Sequence, residues 1–305
     1  MSRLDLLSPA EEARLSDARQ LLLKRRAARV APGFDDKVLA DWNGLMIAAL
    51  AEAGLVFERA DWVTEAGHAF DAVLRLLWNG EILHHSYRAG KTRNLATADG
   101  YAQLISAGLA LFEATGDARR LEQAENLASA LMRDYWDDEF GGFYFTSRRS
   151  EHLLLRQRYA HDDATPNANG TMMANFARLE ALTGKSEYRR RAEAIHDAFA
   201  GAIRKTPFAF ASSLSAFLDL TDLVQAVLIG SSEATAGLRR ALLDEPLPAR
   251  LLIPIATPDG LSAGHPAASK AAGGSRPALY LCRGQTCSLP VTRPDEVSRA
   301  LNAIA

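Results

Sequence analysis

The 305-residue chain reads as a mainly α protein: an (α/α) toroid of helical hairpins, part of a six-hairpin barrel, with a small C-terminal α/β appendage. Three observations carry that reading. A helix pair, apolar first and amphipathic second, recurs three times. Landmarks in the repeats keep one period, since Trp78 and Trp136 lie 58 residues apart and Trp42 and Tyr101 lie 59 apart. After about Asp222 the pattern changes to short aliphatic runs of the kind that form buried strands.

A charged helix is expected first, over Ser8 to Arg29. Residues 42 to 54 are apolar nearly all round, which predicts a buried inner helix capped by Asp41 and stopped at Gly54. An outer helix from Asp61 to Leu77 follows. The order returns at Tyr101 to Thr115, closed by Gly116, with Asp117 capping an outer helix to Tyr135. It returns again at Asn169 to Thr183, closed by Gly184, with Ser186 capping Glu187 to Ile203. Between repeats, Trp78-Asn79-Gly80 and Trp136-Asp137-Asp138 each put an aromatic at a helix end, then a turn and a small hairpin.

Linkers of this length favour a ring over an open solenoid. A ring of six pairs needs twelve helices, and about seven or eight are expected from Ser8 to Leu220. The expected division is a toroid over 1–221 that lacks its first hairpins and an α/β subdomain over 222–305. Strands are expected at Val224–Ile229, Arg250–Ile255 and Ala278–Cys282, with helices at Ala234–Leu243 and Asp295–Ile304. Pro207–Ser215 reads as a junction and Ser262–Pro277 as a surface loop.

With 48% apolar and 24% charged residues, the composition is that of a soluble globular protein. A net charge of -2 gives no basic surface for nucleic acid. No apolar run reaches the ~18 residues of a membrane span, and the N-terminus does not read as a signal peptide. Two cysteines are too few for a disulfide framework, so the cytoplasm is the expected compartment. Phosphate-binding glycine motifs and zinc-type Cys/His spacing are absent, so neither cofactor nor metal is expected.

Carboxylates recur at one end of the repeats: Asp35-Asp36 before Trp42-Asn43-Gly44, Asp99 before Tyr101, and Asp162-Asp163 before Asn167-Ala168-Asn169-Gly170. Stacked around one axis, these acids gather at one mouth.

The segments Asp35-Asp36-Lys37-Val38-Leu39 through Trp42-Asn43-Gly44, His161-Asp162-Asp163-Ala164-Thr165-Pro166-Asn167-Ala168-Asn169-Gly170, and Tyr280-Leu281-Cys282 through Cys287-Ser288-Leu289-Pro290-Val291 resemble the thioredoxin-domain-containing spermatogenesis-associated protein 20 family. The similarity runs from about Pro32 to the end. It implies a thioredoxin-like domain encoded upstream, followed by an (α/α)6 toroid similar to six-hairpin glycosidases and to N-acylglucosamine or cellobiose 2-epimerases. This chain looks like the toroid's C-terminal portion. Relatives tend to have Asp-Tyr at the second acidic loop, whereas here the order is Asp99-Gly100-Tyr101, so Asp99 is not carried among the candidates.

Glycoside hydrolysis needs two carboxyls and epimerisation needs an acid and a base. The catalytic candidates are therefore Asp35, Asp36, His161, Asp162 and Asp163, against the alternative that acids before a helix are caps. The epimerases' own histidines find no matching motif. Trp42, Asn43, Tyr101, Asn167 and Asn169 are the substrate-binding candidates, against packing for the aromatics. Cys282 and Cys287 are either a redox pair or ordinary strand-end thiols. The expected function is carbohydrate binding or modification with a sugar-like ligand. The competing expectations are a non-catalytic scaffold for a thioredoxin-like redox domain and an inactive fragment.

Overall fold

The computed structural model describes residues 7–150, 153–257, 260, 265, 267–268 and 277–304. The chain forms two compact units, Met1–Lys37 and Val38–Ala305. In the first, α1 (Pro9–Ala27) has Pro9 at its first position and a capping box in which the Ser8 and Glu11 side chains satisfy each other's backbone N–H groups. Glu11 and Glu12 in the first turn and Lys24, Arg25 and Arg26 in the last complement the helix dipole. None of its residues is buried.

The second unit is built on helical hairpins. Inner helices α2 (Ala40–Val56), α4 (Ala98–Thr115), α6 (Ala168–Thr183) and α8 (Ala211–Asp222) pack one on the next. Outer helices α3 (Ala60–Leu77), α5 (Ala118–Tyr135) and α7 (Ser186–Lys205) pack on α2, α4 and α6. Gly116 and Gly184 both end their helices at φ 70°, the left-handed geometry that only glycine adopts without a Cβ penalty. At the α2–α4 crossing, a Cβ on Gly44 would lie 2.6 Å from the Gln103 backbone, so the absent side chain sets the approach of the two helices.

Two expectations change here. The helix α2 is not wholly buried: Ile47 and Ala51 face the core, but Trp42 and Met46 are 63% and 66% exposed, because α3 and α4 cover the helix mainly on their own sides. Pro207–Ser215, expected as a junction, has regular structure. It is a 3₁₀ turn, Pro207–Phe210, running directly into α8.

Aromatic wedges close the hairpins. Single bridges pair Trp78 with Leu83 and Trp136 with Phe143. A three-stranded sheet joins β1 (Val38–Leu39), β2 (His84–Arg88) and β3 (Lys91–Leu95). Tyr101 accepts a hydrogen bond from the Leu83 N–H at 2.8 Å and packs edge-on against Trp78 and Tyr135.

A second sheet has the order β5-β4-β6-β7, formed by β4 (Val224–Ile229), β5 (Arg250–Ile255), β6 (Ala278–Arg283) and β7 (Thr286–Cys287). β4 and β5 are parallel, linked through α9 (Ala236–Leu243), and β4 and β6 are antiparallel. Val224, Ala226 and Leu228 pack beneath α9 and α10 (Val297–Asn302). Val227, Ile229, Leu251 and Tyr280 pack against Phe112 and Ala181 of the helical arc. Burial on both faces is why these strands read as continuous apolar runs. Cys282 and Cys287 pair across β6 and β7 and are joined by a disulfide, not left as strand-end thiols. The expected loop at Ser262–Pro277 lies largely outside the described residues.

Candidate functional site

The inner helices enclose a concave cleft of about 450 Å³. Small residues such as Ala48, Ala110, Gly170 and Ala174 hold its walls apart, and polar side chains occupy the space. Midway, Ser106 donates to Asn175 Oδ1 at 2.9 Å, while Asn175 Nδ2 donates to the Ala102 carbonyl. At the floor, Arg178 Nη1 donates to Glu113 Oε1 at 2.7 Å and Nε to Asp219 Oδ2 at 3.1 Å. The Leu252 amide of β5 donates to the other Glu113 oxygen at 2.9 Å. Burial drives the Glu113 carboxyl upward, partly offset by Arg178 and the Leu252 N–H. Burial also disfavours charge on Arg178, yet Glu113 and Asp219 outweigh it and raise its pKa. The Arg250 Nε in the same cleft is buried without a hydrogen-bond partner.

At the N-terminal ends of α2, α4 and α6 a second group assembles. Asp41 and Asp99 lie in the first turns of α2 and α4. The Asp99 carboxyl is pushed up to about 6, chiefly by burial and secondarily by the Asp41 charge, against a stabilising N–H from Ala168. Asp99 shares a niche of about 10 Å³ with Phe143, Phe145, Tyr159 and Asn169. Burial raises the Tyr159 phenol, and the charges of Asp99 and Asp163 raise it further. The His161 ring lies 4.8 Å from that of Tyr159, and its Nε2 is 4.0 Å from Asp163 Oδ2. The charges of Asp99 and Asp163 therefore both act on Tyr159, and Asp41 acts on Asp99. A half-buried carboxyl near 6, in a niche shared with a phenol, is suited to giving and taking protons near neutral pH.

The expected site residues divide sharply. Asp35 and Asp36 belong to the Met1–Lys37 unit, where Asp35 lies 3.1 Å from Lys37 Nζ. Asp162 is a clamp rather than a free acid: it accepts from Ser212 N and Oγ at 2.8 and 2.6 Å and from Asn167 N and Nδ2 at 3.0 and 2.8 Å. Burial opposes its charge, but these donors hold its pKa below the usual aspartate value. Asp163 and His161 stay exposed at the mouth.

Asn167, buried, caps α6 by accepting from the Gly170 N–H at 2.9 Å. Asn169, also buried, accepts from Phe143 N and donates to the carbonyls of Phe143 and Tyr159. Both were expected to bind substrate; Asn169 is occupied by backbone, and Asn167 by backbone together with the Asp162 and Ser212 side chains. Tyr101 is 1% exposed, a core wedge with no face for a sugar ring. Asn43 donates to the Leu39 carbonyl at 2.8 Å, and Trp42 keeps an open face.

Sequence reasoning left out Asp99, Tyr159 and the Glu113–Arg178–Asp219 network. Asp99 carried a signal, an acid at the repeat position of Asp41, but it was set aside because no tyrosine follows it directly. Among the described residues, no three His, Cys, Asp or Glu side chains converge as a metal site, and no helix is long and apolar enough to cross a membrane.

No protein-family model matches the chain. It is 28% identical to spermatogenesis-associated protein 20 of Rattus norvegicus over 99% of its own length, and 27% identical to the Homo sapiens protein over 94%. It covers 40% and 39% of those proteins, so the chain spans about two fifths of the length of the curated relatives it matches. Among solved structures, a GH76 alpha-mannanase of Bacteroides thetaiotaomicron matches with a TM-score of 0.50 at 14% identity, over 71% of this chain and 58% of that one. At such identity the likeness shows a common fold, the (α/α) toroid of helical hairpins.

Proposed function

We propose that the concave cleft binds a carbohydrate and that the acids at its mouth move protons on it, as an epimerase- or glycosidase-like site does. The observation that carries this reading is the Asp99 carboxyl, raised to about 6 where three repeats meet. The cleft between the inner helices offers Ser106 and Asn175, hydrogen-bonding groups that suit sugar hydroxyls. The exposed Trp42 indole, at the start of the first inner helix, is the candidate stacking surface. In this scheme Asp99 is the acid or base, burial with a smaller contribution from Asp41 raises its pKa, and His161 with Asp163 supplies the second proton-transfer group. That a protein of this fold is named an α-mannanase supports a sugar as the ligand class.

The test is a panel of mannose, glucose, mannobiose and cellobiose, followed by calorimetry for binding and by NMR for product. At least one sugar should bind. Asp99→Asn should lower any turnover by about a hundredfold or more while leaving binding in place. Failure of every sugar to bind, or turnover unchanged in Asp99→Asn, contradicts the proposal.

A second reading rests on the Cys282–Cys287 disulfide. The chain would then serve as a scaffold whose disulfide accepts two electrons and two protons from a thioredoxin-like dithiol, giving two thiols here and a disulfide there. Mass spectrometry of alkylated protein after incubation with a reduced thioredoxin decides it. A bond that stays closed while the thioredoxin stays reduced removes this reading.

A further inference from the structure

A second cavity, of about 390 Å³, lies between the C-terminal ends of α6 and α8 and the second sheet. It is separate from the mouth, and its walls are unusual in what they leave unsatisfied. Gln225 Oε1, His265 Nε2 and Arg283 Nε are all buried without a hydrogen-bond partner among the described residues, and all three residues line this cavity. Buried polar atoms are paired in the great majority of cases, so three orphans around one space call for a partner that the described residues do not supply.

The chemistry of the three can be assigned. The Ala267 N–H donates to His265 Nδ1 at 3.1 Å, so in the neutral ring the hydrogen sits on Nε2 and that atom is a donor. His265 is 6% exposed, and burial lowers its pKa, which favours the neutral ring. Arg283 Nε is a second donor. Asp222 Oδ1 lies 3.3 Å from it, within ion-pair range but outside hydrogen-bond geometry. Gln225 Oε1 is an acceptor, and Glu180 adds a carboxyl to the same wall. The donors would meet an anionic group and the acceptors a cationic N–H group, and the volume is ample for a small organic molecule.

We propose that this cavity binds a small zwitterionic amino acid, with its carboxylate on Arg283 and His265 Nε2–H and its ammonium on Gln225 Oε1 and Glu180. Gln225 is paired with Cys282 across β4 and β6, and Cys282 with Cys287 across β6 and β7. Gly284 and Gln285, in the turn between the two cysteines, also line the cavity. The disulfide thus frames one wall of the site.

The experiment uses the whole chain and three probes: L-serine, glycolate, which lacks the ammonium, and ethanolamine, which lacks the carboxylate. Binding is read by calorimetry and by shifts of backbone amide NMR signals. L-serine should bind saturably and perturb the amides around Gln225 and Arg283, and each truncated probe should bind at least about tenfold more weakly. Arg283→Met and, separately, Gln225→Leu should each weaken L-serine by a similar factor, with melting unchanged in at least one of them. Asp99→Asn should leave it unaffected, which separates this site from the mouth. No saturable L-serine binding, glycolate binding as tightly as L-serine, or full affinity in a folded Gln225→Leu protein would each overturn the proposal.

Discussion

The Ser212 hydroxyl donates to Asp162 Oδ1 at 2.6 Å, and the Ser212 amide donates to Oδ2 at 2.8 Å, so one acid ties the loop before α6 to the start of α8. Its neighbour Asp163 points to solvent. Asp162→Ala should therefore lower stability by about 2–4 kcal/mol, because it leaves several donors unmet, while Asp163→Ala should change it by no more than about 0.5 kcal/mol. The folded pKa of Asp162 lies below the ordinary value of 3.8. Its contribution is therefore present above that value and fades as pH falls through the folded pKa. Chemical denaturation of both variants at neutral and acidic pH checks size and direction.

Asp99 carries the opposite sign. Its folded pKa, about 6, lies above the ordinary 3.8. It imposes no penalty below the ordinary value, and the fold loses stability as pH rises through 6. Asp99→Asn keeps an oxygen for the Ala168 N–H but cannot ionise. The variant should be more stable than the parent by about 1–3 kcal/mol near pH 7.5 and equal to it near pH 3.5, as read by urea midpoints.

Arg178 holds Glu113 and Asp219 together at the floor of the cleft. Arg178→Met should cost about 3–5 kcal/mol, since it strands two carboxyls where burial disfavours their charge. Glu113→Gln, which retains the Leu252 contact and leaves Arg178 paired with Asp219, should cost less. Guanidinium unfolding of the two variants gives the comparison.

Tyr101→Phe removes only the hydroxyl that accepts from Leu83. A loss of about 1 kcal/mol by thermal unfolding is expected, with sugar binding unchanged. A change in binding without a change in stability would return Tyr101 to the site.

The helical frame was legible because its signals are local. Glycines at 116 and 184 stop α4 and α6 where expected, and the three aliphatic runs become β4, β5 and β6. The recurrence of acids at the starts of the inner helices was legible, but not which of them is held by other side chains. Whether Asp162 or Asp163 faces solvent depends on Ser212, some fifty residues away. No local pattern distinguishes an Asn that caps a helix, as Asn167 does, from one that meets a ligand. The exposed side of α2 was misjudged for a related reason: periodicity tells how apolar a face is, not whether a neighbour covers it.

Proton transfer at the mouth turns on one ionisation. Carboxyl ¹³C NMR of aspartate-labelled protein, with the Asp99 signal assigned by its loss in Asp99→Asn, measures it directly. Asp99 should titrate at about 6 and shift downward in Asp41→Asn, as the repulsion between the two is removed. A titration near the ordinary aspartate value, indifferent to Asp41, would contradict a proton-transfer group at the mouth.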